Sequence, residues 1–471
     1  MEKSKLKRIN FKSFIGDKAY YKYVLGLVVP MIIQNFITNF VQMLDNLMVG
    51  RVGTAEMSGV SVANQLLFVF NLALFGMVSG AGIFGAQYAG NNDAKGLRNT
   101  FRFKVVFSVL MTFLFCWLFA TKNESLIGLY LTGDGSATLV ADTMYFSKKY
   151  IIIMLVGLYP YAVSQAYAST LRETGQTKVP MVASFCAVGF NLVFDFLLIF
   201  GKLGLPRLGV AGAALATVGA RVLELLILIF WTNKHKAEGL YTFIKGAWSS
   251  FKIPTDLLKN ILIKGTPLML NELLWAAGIT RLNQLYSQRG IEVVPALSIS
   301  TTFFNLFAVI FISMGAANGI IIGQKLGADD IEEIMGDAKK LIALSFVLSI
   351  FTALIFIACS FVIPNLYDTT PEIRHMATLL MIIAASGMPG DALCNGTYFT
   401  IRSGGKTFIT FLMDSGFVWA VCVLSATLLI KFTTFSIFVV YLINQLWNYL
   451  KGAIGIILVK KGIWINNIIE E

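Results

Sequence analysis

The amino-acid sequence predicts an all-α membrane protein: about twelve transmembrane helices in two six-helix lobes, related by a pseudo-two-fold axis along the membrane normal. Three observations predict this. First, 56% of the 471 residues are hydrophobic and only 14% charged, with a mean hydropathy of +0.72, which leaves too little polar surface to coat a soluble globule. Second, apolar runs long enough to cross ~30 Å of hydrocarbon recur from end to end. Third, the chain repeats itself. Pro30, Gly53, Ser61, Gly82, Gln87, Gly90 and Asp93 return 237 positions later as Pro267, Gly290, Ser298, Gly319, Gln324, Gly327 and Asp330. Arg172, Gly175 and Thr177 return 230 positions later as Arg402, Gly405 and Thr407, a slip that one shorter loop explains. Six helices per half let both halves enter the membrane from the same side.

Taken in order, residues 1–22 are basic and amphipathic (Lys3, Lys5, Lys7, Arg8, Lys12), with no apolar core or small-residue cleavage site. They read as a cytoplasmic segment on the inner leaflet, not a removable signal. The N-lobe, 23–232, holds helices centred near residues 36, 72, 111, 160, 190 and 221. A polar inter-lobe linker follows at 233–255, and its stretch TFIKGAWSSFK predicts a short helix along the membrane surface. The C-lobe, 256–471, holds helices centred near 274, 309, 350, 387, 419 and 446 and ends in a short cytoplasmic tail. TKNESLIGLYLTGDGSATLV, after the third helix, reads as the main outer loop. With the N-terminus cytoplasmic, roughly 27 of the 38 Lys and Arg fall on inner segments and about 9 on outer ones. Both termini are therefore expected on the cytoplasmic side of the cell's inner (plasma) membrane. The net charge of +12 reads as topology and contact with anionic lipid, with no nucleic-acid partner. Cys116, Cys186, Cys359, Cys394 and Cys422 read as buried thiols. His235 is expected in the linker and His375 in an outer loop.

Acidic residues at mid-helix are functional candidates, because a charge in hydrocarbon costs several kcal/mol. Asp45 shares a helical face with Gln34, Thr38 and Gln42, so one stripe of the first helix is polar. Asn191 and Asp195 are i, i+4 on the fifth helix, and with Asp45 and a hydroxyl they would form an oxygen cage for a hard cation, sodium for instance, or a shared proton. Glu272 follows Asn271 on the seventh helix with nothing within one turn to neutralise it. Asp391 follows Pro389 and Gly390 on the tenth. Arg221 and Glu224, i, i+3 apart, can satisfy each other, whereas Asp414 needs a partner on another helix. No HExxH, GxSxG or spaced His/Cys cluster occurs, and SGGKT at 403–407 lacks the upstream glycine of a P-loop, so neither an enzyme nor an ATP-driven pump is expected, and no cofactor.

These residues resemble those of the multidrug and toxic compound extrusion (MATE) transporters over nearly the whole chain. The likeness rests on PMIIQNFITNFVQMLDNLMVGRVG, on Gln87 to Gly90, on LRETGQTKVP, and on NLVFD followed by GAALAT. It implies an N-lobe cation or proton site at Asp45, Asn191, Asp195 and Thr217. It also implies a C-lobe acidic pair, Glu272 and Asp391, with Arg402 eleven residues on; which lobe couples the ion stays open. Further implications are a central cleft between rocking lobes, a hinge at Pro30, and antiport of sodium or protons against small organic cations. Gln34, Asn271 and Trp275 would then help to form the substrate site, Trp275 one turn after Glu272 as an aromatic neighbour for a cation. A monomer in the bilayer is the expected state. The alternative reading is a flippase for lipid-linked saccharides or other lipid precursors.

Overall fold

The computed structural model describes residues 14–131 and 137–470, apart from the side chains of 43, 46, 47, 331 and 332. Lys3, Lys5, Lys7, Arg8 and Lys12 lie outside the described residues. Among the described residues twelve long helices follow one another: α1 (Lys18–Gly50), α2 (Thr54–Gly90), α3 (Ala94–Gly128), α4 (Ala137–Glu173), α5 (Lys178–Phe200), α6 (Val210–Lys234), α7 (Thr255–Ser287), α8 (Val293–Gly327), α9 (Ile331–Ser360), α10 (Pro371–Ser403), α11 (Thr407–Phe432) and α12 (Ile437–Lys460). Each predicted centre falls inside its helix. Eleven of them are long and apolar enough to cross a membrane; α7 is long enough but carries Lys259, Lys264, Glu272 and Arg281. No strand occurs among the described residues.

The repeat governs the turns as well as the helices. Asp93 precedes α3 and accepts from the backbone N–H of Lys95 and Gly96, as an N-cap does, and Asp330 stands at the same place before α9. Asn92 and Asp329, again 237 apart, both take positive φ (55° and 58°), as do Gly175 and Gly405 (83° and 74°). Asn and Asp are the non-glycine residues that tolerate this conformation best.

One apolar core spans both lobes. It joins Val24, Leu27, Val28 and Met31 of α1 and Met77, Ala81 and Phe84 of α2 to Leu268 of α7, Met314, Ile321 and Ile322 of α8, and Trp464 and Ile468 of the tail. All of these lie toward the end of the molecule where α1 starts and α2, α4, α8 and α10 finish, here called the N-terminal face. In the opposite half each lobe has a core of its own, around Leu66, Phe70 and Leu158 in one and Leu285, Phe356 and Met381 in the other. The lobes are thus joined at one face and packed separately toward the other.

The seam itself follows the pseudo-symmetry. Gln87 donates to the carbonyl of Ser403 (3.0 Å) in the opposite lobe, and its mate Gln324 donates to that of Glu173 (2.7 Å), 230 residues before Ser403. Gln87 further accepts from Ile468 N–H (2.8 Å), and Gln324 from Tyr23 Oη (3.1 Å). A Cβ at Gly90 would overlap the Gln324 carbonyl, and one at Gly327 that of Gln87, so the two helix ends approach as only glycine allows.

Several expectations are corrected. The outer loop after the third helix is shorter than expected, because α3 runs on to Gly128 with a local break at Lys122, and Ile127 is buried in the distal N-lobe core. The linker helix is a single 3₁₀ segment, Gly239–Ile244, and it docks on α3: Arg98 and Arg102 donate to the carbonyls of Phe243 and Ala247 (both 3.0 Å), and Phe243 packs edge-on against Phe101. His375 belongs to the first turns of α10, which Pro371 starts, not to a loop. All five cysteines are free, but Cys186 of α5 is exposed and Cys116 and Cys359 are only half-buried. Apolar exposure there is what a lipid-facing surface presents.

Candidate functional site

The half of α1 farther from the N-terminal face presents Thr38, Gln42 and Asp45 to a cavity of about 760 Å³. Helix α5 adds Ser184, Asn191 and Asp195, α6 adds Thr217, Arg221 and Glu224, and Thr302 and Asn305 of α8 reach it from the other lobe. Asp45, Asn191, Asp195 and Thr217 therefore converge on one space. The carboxyl groups of Asp45 and Asp195 lie against each other. Oδ1 of Asp45 and both oxygens of Asp195 are buried without a hydrogen-bond donor. Asn191 Nδ2 donates to Thr217 Oγ1 (3.5 Å), and Thr217 Oγ1 donates back to the Ala213 carbonyl (3.0 Å). Two ionised carboxylates only accept, so this pair needs a shared proton or a cation to be stable together. Among the described residues no group of three or more His, Cys, Asp and Glu forms a metal cluster. The donors present, carboxylate, amide and hydroxyl, are the hard oxygen ligands of a light cation.

Gln34 is one turn deeper. Its Nε2 donates to Ser184 Oγ (2.7 Å), its Oε1 accepts from Arg172 (3.0 Å), and Ser184 donates on to Glu224 (2.6 Å). Arg221 pairs with Glu224 (3.3 Å), as their spacing suggested, and stacks on Tyr161 (4.7 Å). Glu224 is thus ion-paired, whereas Asp45 has Arg221 only through space and Asp195 has no basic neighbour among the described residues.

The C-lobe site is built differently. Asn271 donates to Asp414 (2.9 Å) and to Tyr398 Oη (3.4 Å), and accepts from the Ser415 hydroxyl (2.8 Å). Asp414 is ion-paired with Lys451, a residue 8% exposed on α12. Glu272 has Asp414 and Arg402 as its charged neighbours, and Asp391 has Lys451 and Asp414. The two predicted acids therefore border one charged cluster. Trp275 is exposed rather than packed into it. Pro30 lies inside the unbroken α1, and α10 continues through Pro389.

Besides Asp337 of α9, which pairs with Lys325 and Lys340, sequence reasoning missed three buried charges. Lys451 is one; the others are Lys104 and Glu173, whose Nζ lies 2.6 Å from both carboxylate oxygens with the lysine fully buried. The available signal was a lone lysine inside the apolar run FKVVF and another in YLKGAIG.

The MatE family model matches residues 30–197 and 267–418, one segment per lobe, each starting at a member of the repeated proline pair. The chain belongs to the MatE family. As a MatE protein it is a multi-pass membrane transporter. Similar proteins include a probable multidrug resistance protein NorM of Thermotoga maritima, 22% identical over 415 residues that cover 87% of this chain and 86% of that protein. Another is the probable multidrug resistance protein YoeA of Bacillus subtilis, 24% identical over 422 residues, 87% of each chain. Among solved structures, an outward-facing multidrug resistance MATE transporter of the MOP superfamily superimposes with a TM-score of 0.82 at 18% identity, over 96% of this chain and 98% of that one. An aspartate-to-asparagine variant of the Vibrio cholerae MATE transporter VcmN does so with 0.82 at 18%, over 97% and 99%. At this identity the structures share the MatE fold with this protein, and its site must be judged on its own residues.

Proposed function

We propose that this MatE protein is a secondary active multidrug exporter that moves small organic cations by antiport with sodium or protons. The observation that carries the reading is the unpartnered Asp45–Asp195 pair inside a cavity large enough for a small organic molecule. The names of the NorM and YoeA relatives support drugs as cargo. We take the N-terminal face as cytoplasmic, from the excess of Lys and Arg on inner segments. The lobes are then closed toward the cytoplasm, and the cavity belongs to the outer half.

Entry of a cation or proton from outside neutralises the two carboxylates and removes their attraction for a cationic drug. Helix α1 carries Gln34, Thr38, Gln42 and Asp45 beyond Pro30, where no N–H closes the helical ladder. A bend at that residue would move all four polar groups together. Coupling requires only that ion and drug prefer different arrangements of the same groups. The C-lobe acids Glu272 and Asp391 and the exposed Trp275 would contribute to the drug path between the lobes, with the bilayer as the surrounding partner and one chain as the working unit.

The test is transport of a fluorescent organic cation in proteoliposomes, with sodium and proton gradients imposed separately. Transport driven by one of them, and lost in Asp195→Asn, is the expected result. No transport under either gradient, together with lipid scrambling in the same vesicles, would overturn it in favour of a lipid flippase.

A further inference from the structure

A second cavity of about 110 Å³ lies on the pseudo-two-fold axis between the lobes. Its wall contains matched pairs: Gly82 with Gly319, Arg172 with Arg402, and Glu173 with Ser403. Charge does not follow that symmetry. Both oxygens of Glu173 are held by Lys104 (2.6 Å each) and one also by Ser169 (2.6 Å), so the carboxylate is offset from behind. Each lobe also brings one arginine to the wall. Arg172 uses Nη2 on Gln34, and its Nε is buried without a partner. Arg402 is 6% exposed, lies over the rings of Phe399 (4.9 Å) and Tyr398 (5.8 Å), and buries Nη1 without a partner. Glu224 and Glu173 act on Arg172, and Glu272 on Arg402, through space, with no ion pair to either arginine among the described residues. Two guanidinium groups on the wall of one small space, each with a buried N–H unmet, are a cost unless an acceptor of negative charge joins them.

We propose that this axial cavity binds one small inorganic anion of chloride's size between Arg172 and Arg402, and that the anion stabilises the arrangement in which the lobes meet at the N-terminal face. The volume suits it: a space of about 110 Å³ admits a chloride together with water. Each lobe brings one arginine, so parting the lobes at this face divides the site, and binding energy counts only in the joined state. The proposal concerns the interface and stands whichever ion or cargo the main cavity takes.

The experiment uses the full chain in lipid nanodiscs at constant sodium, with chloride titrated in as gluconate is withdrawn, and reads the thermal midpoint by tryptophan fluorescence. A saturable rise of the midpoint with chloride is expected, reproduced by bromide. It should vanish in Arg402→Gln, and also in Ala316→Leu, which narrows the cavity while keeping both arginines. Equal midpoints in the two salts, or a rise that persists in Ala316→Leu, would overturn the proposal; the second variant decides the matter should Arg402→Gln fail to fold.

Discussion

The first helix of each lobe offers an amide at the same point, Gln34 in one and Asn271 in the other, and each amide hydrogen-bonds to the fifth helix of its lobe. There the likeness stops. Gln34 meets a neutral partner, Ser184, whose acidic neighbour Glu224 is already paired, and the free carboxylates Asp45 and Asp195 face an open cavity. Asn271 meets a carboxylate, Asp414, and a lysine on the last helix answers it directly. One scaffold thus supports two electrostatic designs: an N-lobe with two facing carboxylates that no basic side chain pairs among the described residues, and a C-lobe whose central acid is paired with a lysine. Ion responsiveness should therefore concentrate in the first.

The largest effect that sharpens this contrast is in the C-lobe. Lys451→Met leaves the part-buried Asp414 without its ion-pair partner, with only Asn271 donating to it, and should cost about 3 kcal/mol of stability, most of it regained on adding Asp414→Asn; thermal unfolding of the two variants and the double variant measures this. Asp195→Asn comes next. It should reduce gradient-driven export roughly a hundredfold, about 2.7 kcal/mol, while raising the unfolding midpoint, since it removes one of two facing carboxylates. A fall in both export and midpoint would show a structural group and break the comparison. Third, Gln324→Ala removes two hydrogen bonds across the seam, about 1 kcal/mol each, and should favour parting of the lobes at the N-terminal face. Labelling of a cysteine placed at Ala86, buried against Gly323 of the other lobe, should then be several-fold faster. Smallest, Trp275→Ala should change dye affinity less than about threefold, within ~0.7 kcal/mol, because the ring is exposed; equilibrium dye binding checks it.

The twelve helices, their order and the two-lobe repeat were legible because each depends on a local property, apolar length or a fixed spacing. Asp45, Asn191 and Asp195 were legible for a related reason: an acid in an apolar run demands explanation wherever its partner lies. What was not legible depends on contact. Glu173 ends α4, where charge is ordinary, and although Lys104 stands alone in an apolar run, only the packing of α3 on α4 shows it fully buried against that acid. Lys451 was hidden likewise, and the partner of Asp414 could not be read for the same reason. The docking of the linker on α3 follows from the reach of Arg98 and Arg102 to backbone carbonyls, which no side-chain pattern announces. The same holds for the π-helical turns of α11 around Asp414, whose extra residues per turn leave no mark in composition.

The exchange of contacts by Gln87 and Gln324 has a consequence for how such a molecule diverges. Each glutamine closes on a carbonyl from the opposite half, so one substitution there damages both halves, and two copies of an ancestral unit are held to a common pattern at the seam. Inside a lobe no such bookkeeping applies. The interior of one copy is free to lose an acid, gain a lysine or open a cavity without its twin following. A duplicated chain joined in this way keeps its joint conservative and its chambers free to differ, which is how one fold acquires two unlike interiors.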